Sequence, residues 1–164
     1  MLQTTYDRGT KDGDVLETDE VTDQIAGRLI EIAGPNTVIH RRHGMYVDIV
    51  RRGILFRRQS PVYLPLEQVN LKLVHFEVFA MSIVDVVVGK LARFNANDRS
   101  DIDAMVERDL IAHPDVVSCF REAVDFKMDL TADEFAKCVK NMHSVERDML
   151  DVAETEFDEP SWLR

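Results

Sequence analysis

Hydrophobic residues change their spacing along this chain, and the changes divide it. Around Asp12 to Leu16 a polar, turn-forming approach gives way to alternation ending in the apolar pair Val15-Leu16, so a short strand is expected there. Val21, Ile25, Leu29 and Ile32 then recur at steps of three and four between the candidate cap Thr18 and the stop Gly34-Pro35, which predicts an amphipathic helix. Beyond Pro35 the period becomes two. Thr37 to His40 and Met45 to Val50, rich in β-branched residues and separated by the polar stretch Arg41 to Gly44, predict a hairpin. On its second strand Met45, Val47 and Ile49 face one way, and Tyr46, Asp48 and Val50 the other. Short apolar segments at Ile54 to Phe56 and at Asn70 to Phe79, with Leu71 and Leu73 on a common face, extend this β-rich half.

From Ser82 the pattern turns helical. Ser82 with Asp85 and Thr131 with Glu134 have capping-box spacing, and Pro114 suits a first helical turn. Phe135, Val139, Met142, Met149 and Val152 mark the buried stripe of the last helix. The acidic tail Glu154 to Glu159 is expected to fray before Trp162. Together these patterns predict an α+β fold, with a mixed-sheet core over residues 1–80 and a helical region over 81–164 packed on it as one unit. A chain of 164 residues with 45% hydrophobic content can bury one sizeable core.

Composition narrows the setting. No basic segment followed by an apolar leader opens the chain and no apolar run reaches membrane length, so a cytoplasmic protein with no membrane partner is expected. Cys119 and Cys138 lie in helical patterns without CxxC or Cys/His spacing and read as reduced, structural thiols. The net charge of -10 conceals an arginine-rich stretch: His40 to Arg58 carries arginines 41, 42, 51, 52, 57 and 58 against Asp48, giving +5 there and -15 elsewhere. Such a balance argues against wrapping nucleic acid with the whole surface. It leaves one patch for phosphates or, equally, for pairing with acidic helices of the same chain or a second copy. Histidines 40, 43, 75, 113 and 143 show no HExxH spacing, so His40 and His43 read as turn residues, and no GxSxG turn or Walker loop occurs.

The candidate chemistry lies in the acids. Asp12 and Asp14, one residue apart on a strand, project to the same side about 7 Å apart at Cα, and Gly13 leaves the backbone between them open to a ligand. Asp48 lies mid-strand, where an unpaired charge is costly without a cation or donor. If its strand neighbours that of Asp12 and Asp14, three carboxylates converge. Such a cluster suits two Mg²⁺ (or Mn²⁺) ions holding a nucleoside triphosphate for in-line attack on its α-phosphate. Asp12 and Asp14 would hold the metals, and Asp48 would bind the catalytic metal and help deprotonate the attacking hydroxyl. The competing reading makes Asp12-Gly13-Asp14 a turn entering a strand.

Three stretches then follow in order: Arg8-Gly9-Thr10-Lys11-Asp12-Gly13-Asp14, Tyr46-Val47-Asp48-Ile49, and Asp85-Val86-Val87-Val88-Gly89-Lys90-Leu91-Ala92-Arg93 with Asp98-Arg99-Ser100-Asp101-Ile102. This set resembles the nucleotidyltransferase superfamily typified by DNA polymerase β, and more narrowly the AbiEii-type abortive-infection toxins and related bacterial proteins, over about Tyr6 to Met105. The resemblance implies metal-dependent transfer of a nucleoside monophosphate to a hydroxyl of RNA, protein or a small molecule. It gives nucleotide-binding roles to Arg8, Thr10, Lys90 and Asp101, with Asp98 a lesser candidate. Lys90 reads equally as a helix residue salt-bridged to Asp85 or Asp101. The family also carries a Gly-Gly or Gly-Ser helix ahead of its acidic strand, whose amides hold the triphosphate. Only Met1 to Thr5 precede Tyr6, so the element does not fit there, and the chain is expected to be truncated, completed by a partner, or no longer catalytic. The alternative is a non-catalytic interaction module, a toxin-antitoxin component or a homo-oligomer, associating through an exposed sheet edge.

Overall fold

A computed structural model of the chain describes residues 12–16, 21–50, 56–72, 74 and 77–163. The fold is α+β, and its contacts divide it into Met1–Leu55 and Phe56–Arg164.

In the first unit, β1 (Asp12–Leu16), α1 (Asp23–Ala33), α2 (Val38–His43) and β2 (Tyr46–Val50) follow one another. β1 and β2 pair in parallel, and α1 packs against β2 and α2. The cap of α1 is Thr22, whose hydroxyl accepts from Ile25 N at 3.4 Å, while Thr18 lies outside the described residues. Gly34 ends the helix by donating its N–H to Ile30 O at 2.8 Å, and a Cβ at this position would collide with that carbonyl.

The strand expected over Thr37 to His40 is instead a helix, and His40 and His43 are helical rather than turn residues. The Thr37 hydroxyl accepts from His40 N at 3.2 Å and donates to Gly34 O at 2.8 Å, which fixes the first turn. Gly44, at φ 67°, closes the last. A cap and a left-handed stop with six residues between them outweigh the β-branching of Thr37-Val38-Ile39, and His40, Arg41, Arg42 and His43 sit at the helix end where the dipole favours positive charge. The hairpin therefore becomes a helical crossover, the connection that parallel strands require.

The second unit contains β3 (Tyr63–Pro65), α3 (Glu67–Asn70), β4 (Phe79–Met81), α4 (Ile83–Leu91), α5 (Ala96–Val106), α6 (His113–Phe126) and α7 (Ala132–Asp148). The segment Asn70 to Phe79 is not one strand. Asn70 ends α3, its side chain accepts from Val78 N at 2.7 Å and donates to Val78 O at 3.0 Å, and β4 pairs antiparallel with β3 only from Phe79 onward. Leu71 is 86% exposed, so the apolar face expected there is not a core face, and Leu73 lies outside the described residues. Of Ile54 to Phe56 only Phe56 is described, buried in the core without belonging to a strand.

Caps explain the helices. Ser82 accepts from Asp85 N at 3.2 Å, Asn95 with Asp98 and Thr131 with Glu134 form full capping boxes, and Pro114 lies in the first turn of α6. Four helices converge through Val88 and Leu91 of α4, Ile102 of α5, Phe120 of α6 and Met142 of α7, all without solvent exposure. Cys119 and Cys138 are free and buried, and burial pushes their thiols up to about 12 and about 11. The Asp85 carboxylate receives Arg58 through two bonds of 2.8 and 2.9 Å, Val62 N at 3.0 Å and the Ser82 hydroxyl at 2.6 Å. These bonds tie residues 56–62 to α4 within the second unit.

The tail does not fray. Thr155 is bound by Glu146, and the Phe157 ring lies 4.7 Å from that of Phe120, so the acidic stretch is anchored by the residues between its charges. Among the described residues no helix is long and apolar enough to cross a membrane.

Candidate functional site

The register of β1 and β2 pairs Asp12 with Tyr46, Gly13 with Val47 and Asp14 with Asp48. Neighbouring strands lie about 4.8 Å apart, and directly opposed residues of a parallel pair share a face. Asp14 and Asp48 are therefore side by side, drawn from strands more than thirty residues apart in sequence. Both are exposed. Asp48 Oδ1 accepts from Ile49 N at 2.8 Å.

Asp48 is thus solvated, not the costly buried charge expected of its mid-strand position. A solvated carboxylate has no burial cost to relieve, but two like charges held on adjacent strands repel, and a divalent ion between them would be attracted to both. Asp12 occupies the β1 position opposite Tyr46, but its side chain lies outside the described residues, as do Arg8 and Thr10. A Cβ added to Gly13 meets nothing within 4 Å, so the backbone between the two β1 acids is open.

One neighbour was missed from the sequence. His40 packs its ring 4.9 Å from Tyr46, the residue that shares a strand face with Asp48, and its Nδ1 accepts from Asn36 N at 2.9 Å. Only the helical path of α2 brings it there; the Thr37 to Gly44 cap-and-stop spacing was the signal that could have found it.

In the second unit, Lys90 Nζ lies 3.0 Å from Asp98 Oδ1 and 2.8 Å from Asp101 Oδ2, joining the end of α4 to α5. Asp98 also takes Arg93 through bonds of 2.7 and 2.8 Å and Asn95 N at 3.1 Å. The Arg93 guanidinium beside it, with Lys90 adding to the effect against burial, holds the Asp98 carboxyl well below the usual carboxylate range. Of the two readings of Lys90, the salt bridge to Asp101 is the contact observed. Asp85, burial notwithstanding, is likewise held below its ordinary value by Arg58, Ser82 and Val62.

Among the described residues, which leave out the Asp12 side chain, no group of three His, Cys, Asp or Glu side chains is placed to hold a metal ion. The pair Asp14 and Asp48 presents carboxylate oxygens only, the donor chemistry that suits a hard cation such as Mg²⁺ or Mn²⁺. Compared with known proteins, the chain matches no family model, no curated protein and no solved structure.

Proposed function

We propose that the β1–β2 pair is the metal- and nucleotide-binding centre of a nucleotidyltransferase, moving a nucleoside monophosphate from a triphosphate to an acceptor hydroxyl. The observation that carries this reading is the register of Asp14 with Asp48, two exposed carboxylates on adjacent parallel strands beside the open backbone of Gly13. A bound Mg²⁺ or Mn²⁺ would neutralise phosphate charge and polarise the α-phosphorus. Asp14, with Asp12 beside it on β1, supplies oxygen ligands. Asp48 takes the proton of the acceptor hydroxyl as its oxygen bonds to the α-phosphorus and the bond to the bridging oxygen breaks, releasing pyrophosphate.

Arg8 and Thr10 join the proposal as nucleotide contacts through the resemblance alone, as do an RNA or protein acceptor, a cytoplasmic setting and a toxin-antitoxin partnership. The nucleotide role of Lys90 and Asp101 stands on the same footing and is separable. Lys90→Met lowers nucleotide affinity if the ammonium serves phosphate, and leaves it unchanged in a folded protein if it serves only Asp98 and Asp101.

Calorimetric titration of the full chain with ATP, with and without Mn²⁺, tests the centre. Binding is expected only with the metal, and Asp48→Asn, which keeps an oxygen for the Ile49 N–H, is expected to lose it by at least tenfold while circular dichroism is unchanged. Equal metal-dependent binding in the variant counts against this assignment.

A second reading, an interaction or oligomeric module, has its own support. α1 is amphipathic yet buries no residue, with Ile25 46% and Ile32 55% exposed. An apolar face left open in this way suits a protein partner. Ile25→Ser abolishes association through α1 and leaves nucleotide binding untouched, which separates the two readings.

A further inference from the structure

Residues 149–163 form no helix or strand of their own, yet from Val152 to Phe157 they are bound to α6 and α7. Val152 N donates to Glu146 O at 2.9 Å. Thr155 N donates to Glu146 Oε2 at 3.0 Å, the Thr155 hydroxyl donates to Oε1, and His143 Nε2 donates to the Thr155 carbonyl at 3.0 Å. Both backbone groups of Thr155 are thus met by side chains of α7. Glu146, fully buried, also accepts from His113 Nε2 of α6 at 2.8 Å.

Two residues on, Phe157 sits against Phe120, stacks with His143 at 6.1 Å and 29°, and lies under the Arg121 guanidinium at 5.6 Å. Charge follows the same match, since Arg147 pairs with Glu154. Trp162 and Leu163, partly buried, pack against the hydrophobic core to which α6 and α7 contribute. An extended segment with its backbone satisfied by groove side chains, one aromatic anchor and complementary charge has the anatomy of a bound linear peptide.

The segment runs back along α7, from Val152 beside Glu146 to Phe157 beside His143, and the reversal is made at Asp151, whose φ of 53° is left-handed. Any residue with a Cβ pays for that conformation, Asp less than most and Ala more. Continuing α7 outward would remove the cost and vacate the groove, which the same segment of a second copy can fill with identical contacts. We infer that the α6–α7 groove is an exchangeable docking site whose partner is residues 152–163 of a second copy of this chain, traded about a hinge at Asp151.

Light scattering of the full chain over a concentration series tests this, with Trp162, the single tryptophan, reporting by its emission whether the segment is seated. The dimer fraction is expected to rise with concentration at unchanged Trp162 emission. Asp151→Ala, which makes the left-handed hinge harder, raises that fraction several-fold, and Asp151→Gly, which eases it, lowers it several-fold. A monomer throughout the series overturns the inference, as does a dimer with red-shifted Trp162 emission or a shift of the same sign in both variants. If Asp151→Ala fails to fold, Asp151→Gly decides alone, and an unchanged dimer fraction overturns the inference. Association through α1 would respond to Ile25→Ser and ignore Asp151. No arm involves metal or nucleotide, so the outcome is independent of the proposed function.

Discussion

Asp85, Asp98 and Glu146 are carboxylates with almost no exposure, and each is ionised by its partners. Arg93 lowers Asp98; at Asp85 and Glu146 burial pushes the carboxyl up, but Arg58 at the one and His113 with Thr155 at the other outweigh it. Folded values below the ordinary ones mean that the unfolded chain binds protons first as pH falls. Their stabilisation is therefore complete above the unfolded carboxylate range and lost as pH drops through the folded values. The urea midpoint is expected to hold from neutrality to about pH 5 and to fall below about pH 4. Asp98→Ala costs about 1.5–3 kcal/mol at neutral pH and shallows that acid limb; a midpoint that rises on acidification contradicts this description. At this scale the sequence was informative for Asp14 and Asp48, because strand alternation fixes a face. It was silent on Asp98 as a cap, because that role depends on Asn95 starting a helix.

Among the elements, those with paired local signals were legible and those resting on propensity alone were not. α7 has its capping box at Thr131 and buries Phe135 and Met142 of its expected apolar stripe, with Cys138 and Val145 added to the buried face. It stops at Asp148, however, so Met149 is its C-cap, Val152 lies beyond it, and Val139 is only partly buried. α2 was misread because Val38 and Ile39 favour strands, whereas Thr37 and Gly44 define a helix around them. β3, three residues long and fully exposed in pattern, offers no hydrophobic period to detect. Burial also ranks the helices. α6 carries Phe120 and Val116 without exposure, while α1 buries nothing, so amide exchange in α1 is expected to be orders of magnitude faster than in α6. Phe120→Ala costs about 3–5 kcal/mol in urea denaturation. Equal protection of the two helices would count against this ranking.

For the whole molecule, sequence pattern recovered the α+β class but not the seated tail, because that depends on a pair distant in sequence, Phe120 with Phe157. The proposed metal centre likewise depends on one pair, Asp14 beside Asp48. Two adjacent negative charges repel, so Asp48→Asn should raise metal-free stability by about 0.2–1 kcal/mol even as it removes a ligand. The most direct measurement follows the free Mn²⁺ signal by electron paramagnetic resonance as the full chain is titrated. The native chain is expected to withdraw Mn²⁺ from solution, with Mg²⁺ competing, and Asp48→Asn to bind it at least tenfold more weakly; identical Mn²⁺ uptake by the two proteins would contradict the assignment.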